Sequence, residues 1–456
     1  MRLLIFLIAL AASAQDFAAQ FEQIKKTATN EQLYALLYSM PKGGDLHHHL
    51  TLAPLPEEWW QAAMAPGRDF YARVRFHACP DSAEPFLRWA TVPKFRVTAL
   101  SECAQKEWEP LRTMSPETRQ QWLDAMRLDR PTEGRNEFFD VIVNRLVGMV
   151  RDPDTLADAI ALYLQRYGRE GILYVESQTG MNPTVDHQGR PVSREQVGDK
   201  LRAMLARPEV QASGVTVRFQ VTAIRFAPNA EEQIERAHEF VDRNRDYWVG
   251  VNIAGREDND KGNTARLLST FRKMRRQYSG IRLALHGGEV DSPGPDVRNT
   301  LLLGAERIGH GFNLITDPDT MLLLRNGKTL IEVNLVSNKL LEYVSRYEQH
   351  PFPEYLRFGI PVALSTDDPG CWDSNLTDEF FTAVREYNLT WPEIVQLGRN
   401  SLQFSFAPDA VKRDLLARFE TRIRNFELTY RGGDWAERLA AVRPAVSNYA
   451  RRELLK

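Results

Sequence analysis

The chain has 456 residues, of which 43% are hydrophobic and 26% charged, an ordinary globular composition with enough apolar material for a core of its own. Its 58 basic and 60 acidic side chains leave a formal net charge of −2, and no basic stripe accompanies them. The electrostatic footprint of a nucleic-acid binder is therefore missing, and the run Arg272-Lys273-Met274-Arg275-Arg276 reads as the solvated end of a helix.

Residues 1–14 read as an export signal. Met1-Arg2 is a short positive start, Leu3 to Ala11 an apolar run, and Ala12-Ser13-Ala14 a small-residue cleavage site before Gln15. The run falls short of the about 20 residues a bilayer crossing needs, and no Cys follows the site to carry a lipid. A secreted protein, periplasmic or extracellular and without a membrane anchor, is expected. Export also bears on the cysteines. Cys79 and Cys103 lie in one Trp- and Pro-rich segment, where an oxidising compartment favours a disulfide, and Cys371 is left as a free, buried thiol. The chain has no C-x-x-C, which removes zinc ribbons and thioredoxin-like redox sites.

Residues 15–40 carry Phe17, Phe21 and Ile24, then Leu33, Leu36 and Leu37, at helical spacing. They form an N-terminal helical extension of one or two helices, ahead of a main unit over residues 41–456. Residues 55–150 read as an inserted, mainly helical and irregular segment with few strand signals. Beyond it, short β-branched or aromatic runs alternate with amphipathic stretches, the mark of βαβ units. The candidate strands are Asp45–Leu50, Ile172–Ser177, Val215–Ile224, Trp248–Ala254, Ile281–His286, Arg307–His310, Thr329–Asn334 and Val362–Thr366. Helical patterns at 193–207, 231–244, 263–277 and 375–387 fill most of the gaps, and further helices follow from about 391. Eight strands with intervening helices predict an α/β fold, a (β/α)8 TIM barrel, with a doubly wound sheet as the competing topology.

Ligand-type residues gather at the ends of these strands. His47 and His49 are two apart on the first strand and so share its inner face, whereas His48 points the other way. The fifth strand ends in His286-Gly287-Gly288-Glu289, the sixth in Arg307-Ile308-Gly309-His310-Gly311, and the eighth in Ser365-Thr366-Asp367-Asp368-Pro369. Chemistry in such barrels sits at the C-terminal strand ends. Two His from the first strand, one from the fifth and one carboxylate from the eighth would complete a single metal site. Imidazole and carboxylate without thiolate suit zinc, with iron, nickel and manganese still open. Glu289, His310 and the second Asp of the pair remain for acid–base work. His77, His187, His238 and His350 are assigned to ordinary hydrogen-bonded core or surface positions.

The segment Pro41-Lys42-Gly43-Gly44-Asp45-Leu46-His47-His48-His49-Leu50, together with the three strand-end motifs, resembles the adenosine/AMP deaminase family over about residues 40–390. Ile331-Glu-Val-Asn-Leu-Val-Ser-Asn338, the export signal, the N-terminal helices and the early cysteine pair are similar to its secreted, growth-factor branch. The resemblance implies a metal-dependent hydrolase barrel with one zinc ion on His47, His49, His286 and Asp367. It further implies that Glu289 gives a proton to purine N1 and that His310 orients and deprotonates the attacking water. Asp368 would bond N7, and the backbone of Gly255, in Ile253-Ala254-Gly255, would meet N3. The implied substrate is adenosine or a related 6-aminopurine nucleoside, and the implied assembly a homodimer through the N-terminal helices. One position departs from the family's pattern. An Asp that commonly follows the H-x-H pair and helps hold the ribose is absent, the chain continuing Leu50-Thr51-Leu52. Two other readings compete. One is another single-metal amidohydrolase on the same barrel, cleaving an amide or ester; two-metal members would need a Lys at the end of the fourth strand, which reads Asn252-Ile253-Ala254-Gly255. An extracellular receptor-binding protein would use residues 55–150, with the barrel as scaffold.

Overall fold

The computed structural model describes residues 17–82, 87–259 and 261–456, so the export signal predicted at residues 1–14 lies outside the described residues. Its centre is one sheet of eight strands: β1 Gly43–His49, β2 Ile172–Thr179, β3 Thr216–Ile224, β4 Trp248–Ala254, β5 Arg282–Gly287, β6 Arg307–His310, β7 Leu330–Val333 and β8 Val362–Leu364. They neighbour one another in chain order, and every pair is parallel. The seam between β8 and β1 is closed just past the strand end by a parallel bridge between His48 and Asp367. The eight expected strands are all present, two with the expected bounds and the others with ends shifted by no more than two residues, and the sheet closes as a TIM barrel rather than opening as a doubly wound one.

Sequence pattern accounts for this. Every residue of β2 and β4 is buried, as parallel strands covered on both faces require. Outside them lie amphipathic helices such as Ala230–Arg243, which buries Ile234, Ala237, Phe240 and Val241 and sets Phe240 edge-on to Trp248, ring centroids 5.2 Å apart. The floor of the barrel is polar. Arg307 bonds Glu176 at 2.7 Å and Glu332 at 2.6 Å beneath the ring of Phe406. A buried guanidinium needs such pairing to offset its desolvation.

Residues 17–27 and Asn30–Ser39 form the two N-terminal helices, the second capped by Thr29 with Gln32 reaching back. Phe17 meets Trp391 edge-on, and Trp391 stacks on Phe426, which ties the start of the described chain to the helices Trp391–Gln403 and Asp409–Tyr430.

The inserted segment differs from expectation. Besides the helices Pro56–Ala63, Pro116–Ala125 and Val143–Val150, it holds a three-stranded antiparallel sheet, Phe70–Arg73 flanked by Thr91–Pro93 and Trp108–Pro110. These strands of three or four residues are too short to show an alternating pattern, and Pro ends the two outer ones. Cys79 and Cys103 are disulfide-bonded, with Cα atoms 5.9 Å apart, and Cys371 is a buried free thiol. No helix among the described residues is long and apolar enough to cross a membrane.

Candidate metal centre and active site

The alternation of β1 turns His47 and His49 inward, while His48 faces the outer layer, its Nδ1 2.8 Å from Ser177 Oγ and its ring against Tyr163 and Tyr167. The ends of β5 and β8 bring His286 and Asp367 to the inward pair. His286 Nε2 lies 3.3 Å from His49 Nε2, and Asp367 Oδ1 lies 3.4 Å from His47 Nε2 and 3.2 Å from His49 Nε2. Four donors around a tetrahedral ion with bonds of about 2.0–2.1 Å stand roughly 3.3–3.4 Å apart, so the separations fit a common cation. His47 Nε2 and Asp367 Oδ1 are buried without a hydrogen-bond partner, as atoms reserved for a metal would be. The electrostatics agree. Burial opposes a proton on His47, yet Asp367 and Glu332 on either side outweigh it and lift its pKa to about 10. A positive charge is favoured at this point. Burial and the neighbouring imidazoles hold His286 well below its usual pKa, in the neutral form that binds metal.

Outer contacts aim each of these side chains. His47 Nδ1 bonds Glu332 at 2.8 Å, His286 Nδ1 bonds Asn252 Oδ1 at 3.1 Å, and Ser337 donates to Asp367 Oδ2 at 2.6 Å. Such partners fix ring orientation and tautomer.

Glu289, His310, Asp368 and Gly255 surround the cluster. Glu289 Oε2 is 3.6 Å from His310 Nε2, and the His310 nitrogen belongs to a group with His47, His286 and Asp367 whose ligand atoms lie within 4.8 Å of one another. Burial, then the charges of Asp367 and Glu257, raise the Glu289 pKa well above the carboxylate range. Asp368 is raised in the same way, by burial and then by Asp367 and Glu289. Burial and the neighbouring carboxylates thus push both groups toward the protonated form. Asp367 behaves oppositely: burial disfavours its charge, but His47 and His49 outweigh that and hold it ionised. His310 and Asp367 have φ of +63° and +60°, left-handed backbone that costs roughly 1–3 kcal/mol for a non-glycine residue. Gly255, past the end of β4, has φ +105°, and a Cβ there would stand 2.6 Å from the Phe226 ring.

A cavity of about 250 Å3 opens over this cluster, lined at its base by His49, His286, Glu289, Asp367, Asp368 and Gly255. Its walls are apolar: Phe138, Phe139 and Val143 from the inserted segment, with Leu52, Ile224 and Phe226. Thr51 lines it too, together with Gln178 and Thr222, whose Nε2 and Oγ1 are buried without a hydrogen-bond partner. Every singled-out residue thus lies in one place. Sequence reasoning missed the aromatic roof and the outer contacts Glu332, Asn252 and Ser337. A lone carboxylate in the apolar run Leu330-Ile331-Glu332-Val333 was a visible sign, since a buried charge demands a partner.

Fold and site together define a (β/α)8 barrel with a candidate metal centre at the C-terminal ends of its strands. The family model described as adenosine deaminase matches residues 94–422. Adenosine deaminase 2 of Sus scrofa is 23% identical over 90% of this chain and 84% of its own length. An adenosine deaminase of Shewanella loihica is 31% identical over 38% of this chain, and the match takes in only 51% of that protein. Among solved structures, an amidohydrolase from Burkhoderia ambifaria with bound Zn superposes with a TM-score of 0.60 at 18% identity, covering 90% of this chain and 95% of the other, a likeness of fold. The chain belongs to the adenosine deaminase family and is a hydrolytic deaminase.

Proposed function

We propose that the protein hydrolyses the 6-amino group of a purine nucleoside, adenosine or a close relative, releasing ammonia and the 6-oxo purine. One zinc ion would be held by His47, His49, His286 and Asp367. The observation that carries this reading is the approach of those four donors to one another, with His47–Asp367, His49–Asp367 and His49–His286 at 3.2–3.4 Å, beside a buried Glu289 whose pKa is raised well above the carboxylate range.

When bound, zinc lowers the pKa of water from about 15.7 toward about 7. The chain supplies the rest. An aromatic amine is a poor electrophile, so Glu289 gives its proton to N1 and makes C6 open to attack. Protonated Asp368 donates to N7, which accepts only from a donor, and the Gly255 N–H meets N3. His310 holds the attacking oxygen against C6. Phe138, Phe139 and Val143 close over the purine and exclude water from it. Gln178 Nε2 and Thr222 Oγ1 have bonding capacity to spare, and with Thr51 they serve the sugar end in place of the absent Asp. The pattern at residues 1–14 and the Cys79–Cys103 bridge support secretion.

The test is ammonia release by the zinc-analysed protein from adenosine, 2′-deoxyadenosine, 5′-modified adenosines, AMP, adenine and cytidine. Turnover of adenosine above the others is expected. Turnover of adenine or a 5′-modified nucleoside alone would move the substrate and keep the chemistry. Silence across the panel with one zinc bound would sink the reading in favour of another amidohydrolase.

A further inference from the structure

The proton on His310 is fixed by a chain of hydrogen bonds that begins at a backbone amide. The Phe352 N–H, which can only donate, points at His350 Nδ1 from 3.1 Å. His350 is 2% exposed, and burial lowers its pKa to about 3, so its ring is neutral. With Nδ1 accepting, its one ring proton must sit on Nε2, which lies 3.0 Å from Asn338 Oδ1. That bond settles which way the Asn338 amide faces. Its Nδ2 then donates to His310 Nδ1 at 3.3 Å, joined by Asn334 Nδ2 at 3.2 Å. An Nδ1 that accepts from two amides holds a lone pair. His310 must therefore carry its proton on Nε2, the atom that faces Glu289 and the metal cluster without a hydrogen-bond partner.

We infer that His350, acting through Asn338, is a positioning residue that locks His310 as the neutral Nε2–H tautomer, so that His310 donates a hydrogen bond to the oxygen at C6 and does not take a proton from the attacking water. This rests on the deaminase reading for its reaction, and it replaces the base role that the family resemblance implied for His310. The protons still balance. The water loses its first proton to solvent while the pocket stands open, and Glu289, after protonating N1, is restored from solvent. The proton left on the oxygen moves to the departing amine as C–O double bonding forms and the C6–N bond breaks. A fixed donor aimed at developing negative charge requires no reorganisation during the step.

The experiment uses zinc-loaded protein with 15N-labelled histidine imidazoles, His310 being assigned by the signal lost in His310→Gln. Long-range proton–nitrogen correlation reads which ring nitrogen bears the proton. The expected wild-type result is a protonated Nε2 and a lone-pair Nδ1. His350→Phe, which frees the Asn338 amide to turn, should bring up the Nδ1–H tautomer. It should also lower kcat toward the roughly 100-fold loss that removal of one such donor costs, with KM within about twofold. His350→Gln, whose amide can accept from Phe352 and donate to Asn338, should restore both readouts. A wild-type His310 protonated on Nδ1 would overturn the inference even if no variant folded, as would a His350→Phe protein with unchanged tautomer and kcat. Absence of ammonia release from every purine, with the tautomer as stated, would instead count against the deaminase reading.

Discussion

Asp367 is bound to the backbone on both sides of His48: its N–H donates to the His47 carbonyl at 2.9 Å, and its carbonyl accepts from the His49 N–H at 2.9 Å. This parallel bridge is the seam of the barrel, and the same residues supply three of the four candidate ligands. Closing the sheet and assembling the metal site are therefore one event. The left-handed backbone of Asp367 is held by the two bonds that complete the fold.

Glu289→Gln should lower turnover by at least 100-fold, the lower range for a general acid, because an amide cannot hand its proton to N1. Zinc should stay at one per chain, because Glu289 is outside the proposed ligand set. Metal analysis alongside ammonia release checks both. A variant that lost its zinc would make Glu289 a ligand.

Glu332→Gln keeps the shape of the side chain that orients His47 but removes its charge. Metal affinity should fall roughly 10–100-fold, read by competition with a chelator. An unchanged affinity would reduce Glu332 to a partner of Arg307 alone.

At Gly255 an Ala would force a side chain into left-handed backbone and against Phe226. Displacing the N–H assigned to N3 by even 1.4 kcal/mol of strain is worth about tenfold in binding. Gly255→Ala should thus raise KM by about tenfold with zinc content intact.

His238 reports on stability rather than catalysis. It is 1% exposed, its Nδ1 bonded to the Ile234 carbonyl at 2.8 Å, and burial lowers its pKa from 6.5 to about 4. A folded-state value below the unfolded one means that the unfolded chain binds the extra proton between those limits. The contribution is present above pH 6.5 and is lost as pH falls toward 4, to a total of about 3 kcal/mol. Denaturant titrations of His238→Phe should show a shallower fall over that window than wild type, and parallel curves would exclude the assignment.

Much of this was legible in the chain. Parallel strands buried on both faces are apolar runs bounded by breaks, and ligand-type side chains at their ends stand out against them. Period-two alternation alone separated His47 and His49 from His48. Phe138 and Phe139 were not legible, because an aromatic pair in a helical stretch reads as core until the fold turns one face toward a cavity. The three short strands of the insertion carry too few residues for a pattern. His350 reads correctly as a hydrogen-bonded core residue, yet its link to His310 runs through an Asn side chain and a turn, which no spacing encodes.

The insertion has a consequence for how such a protein changes. The reacting groups sit on strand ends, whereas the roof over them comes from residues 137–150, with the helix Val143–Val150 pressed so close to Thr91 that a Cβ on Gly148 would meet its carbonyl at 1.9 Å. The Cys79–Cys103 bridge ties the loop before that strand to the short helix Glu102–Gln105 after it. Grip and chemistry are thus written on separate stretches of polypeptide. An exchanged roof would retune which nucleoside is held while every proton-handling group stayed in register, and reducing the bridge would loosen the hold without dulling the blade.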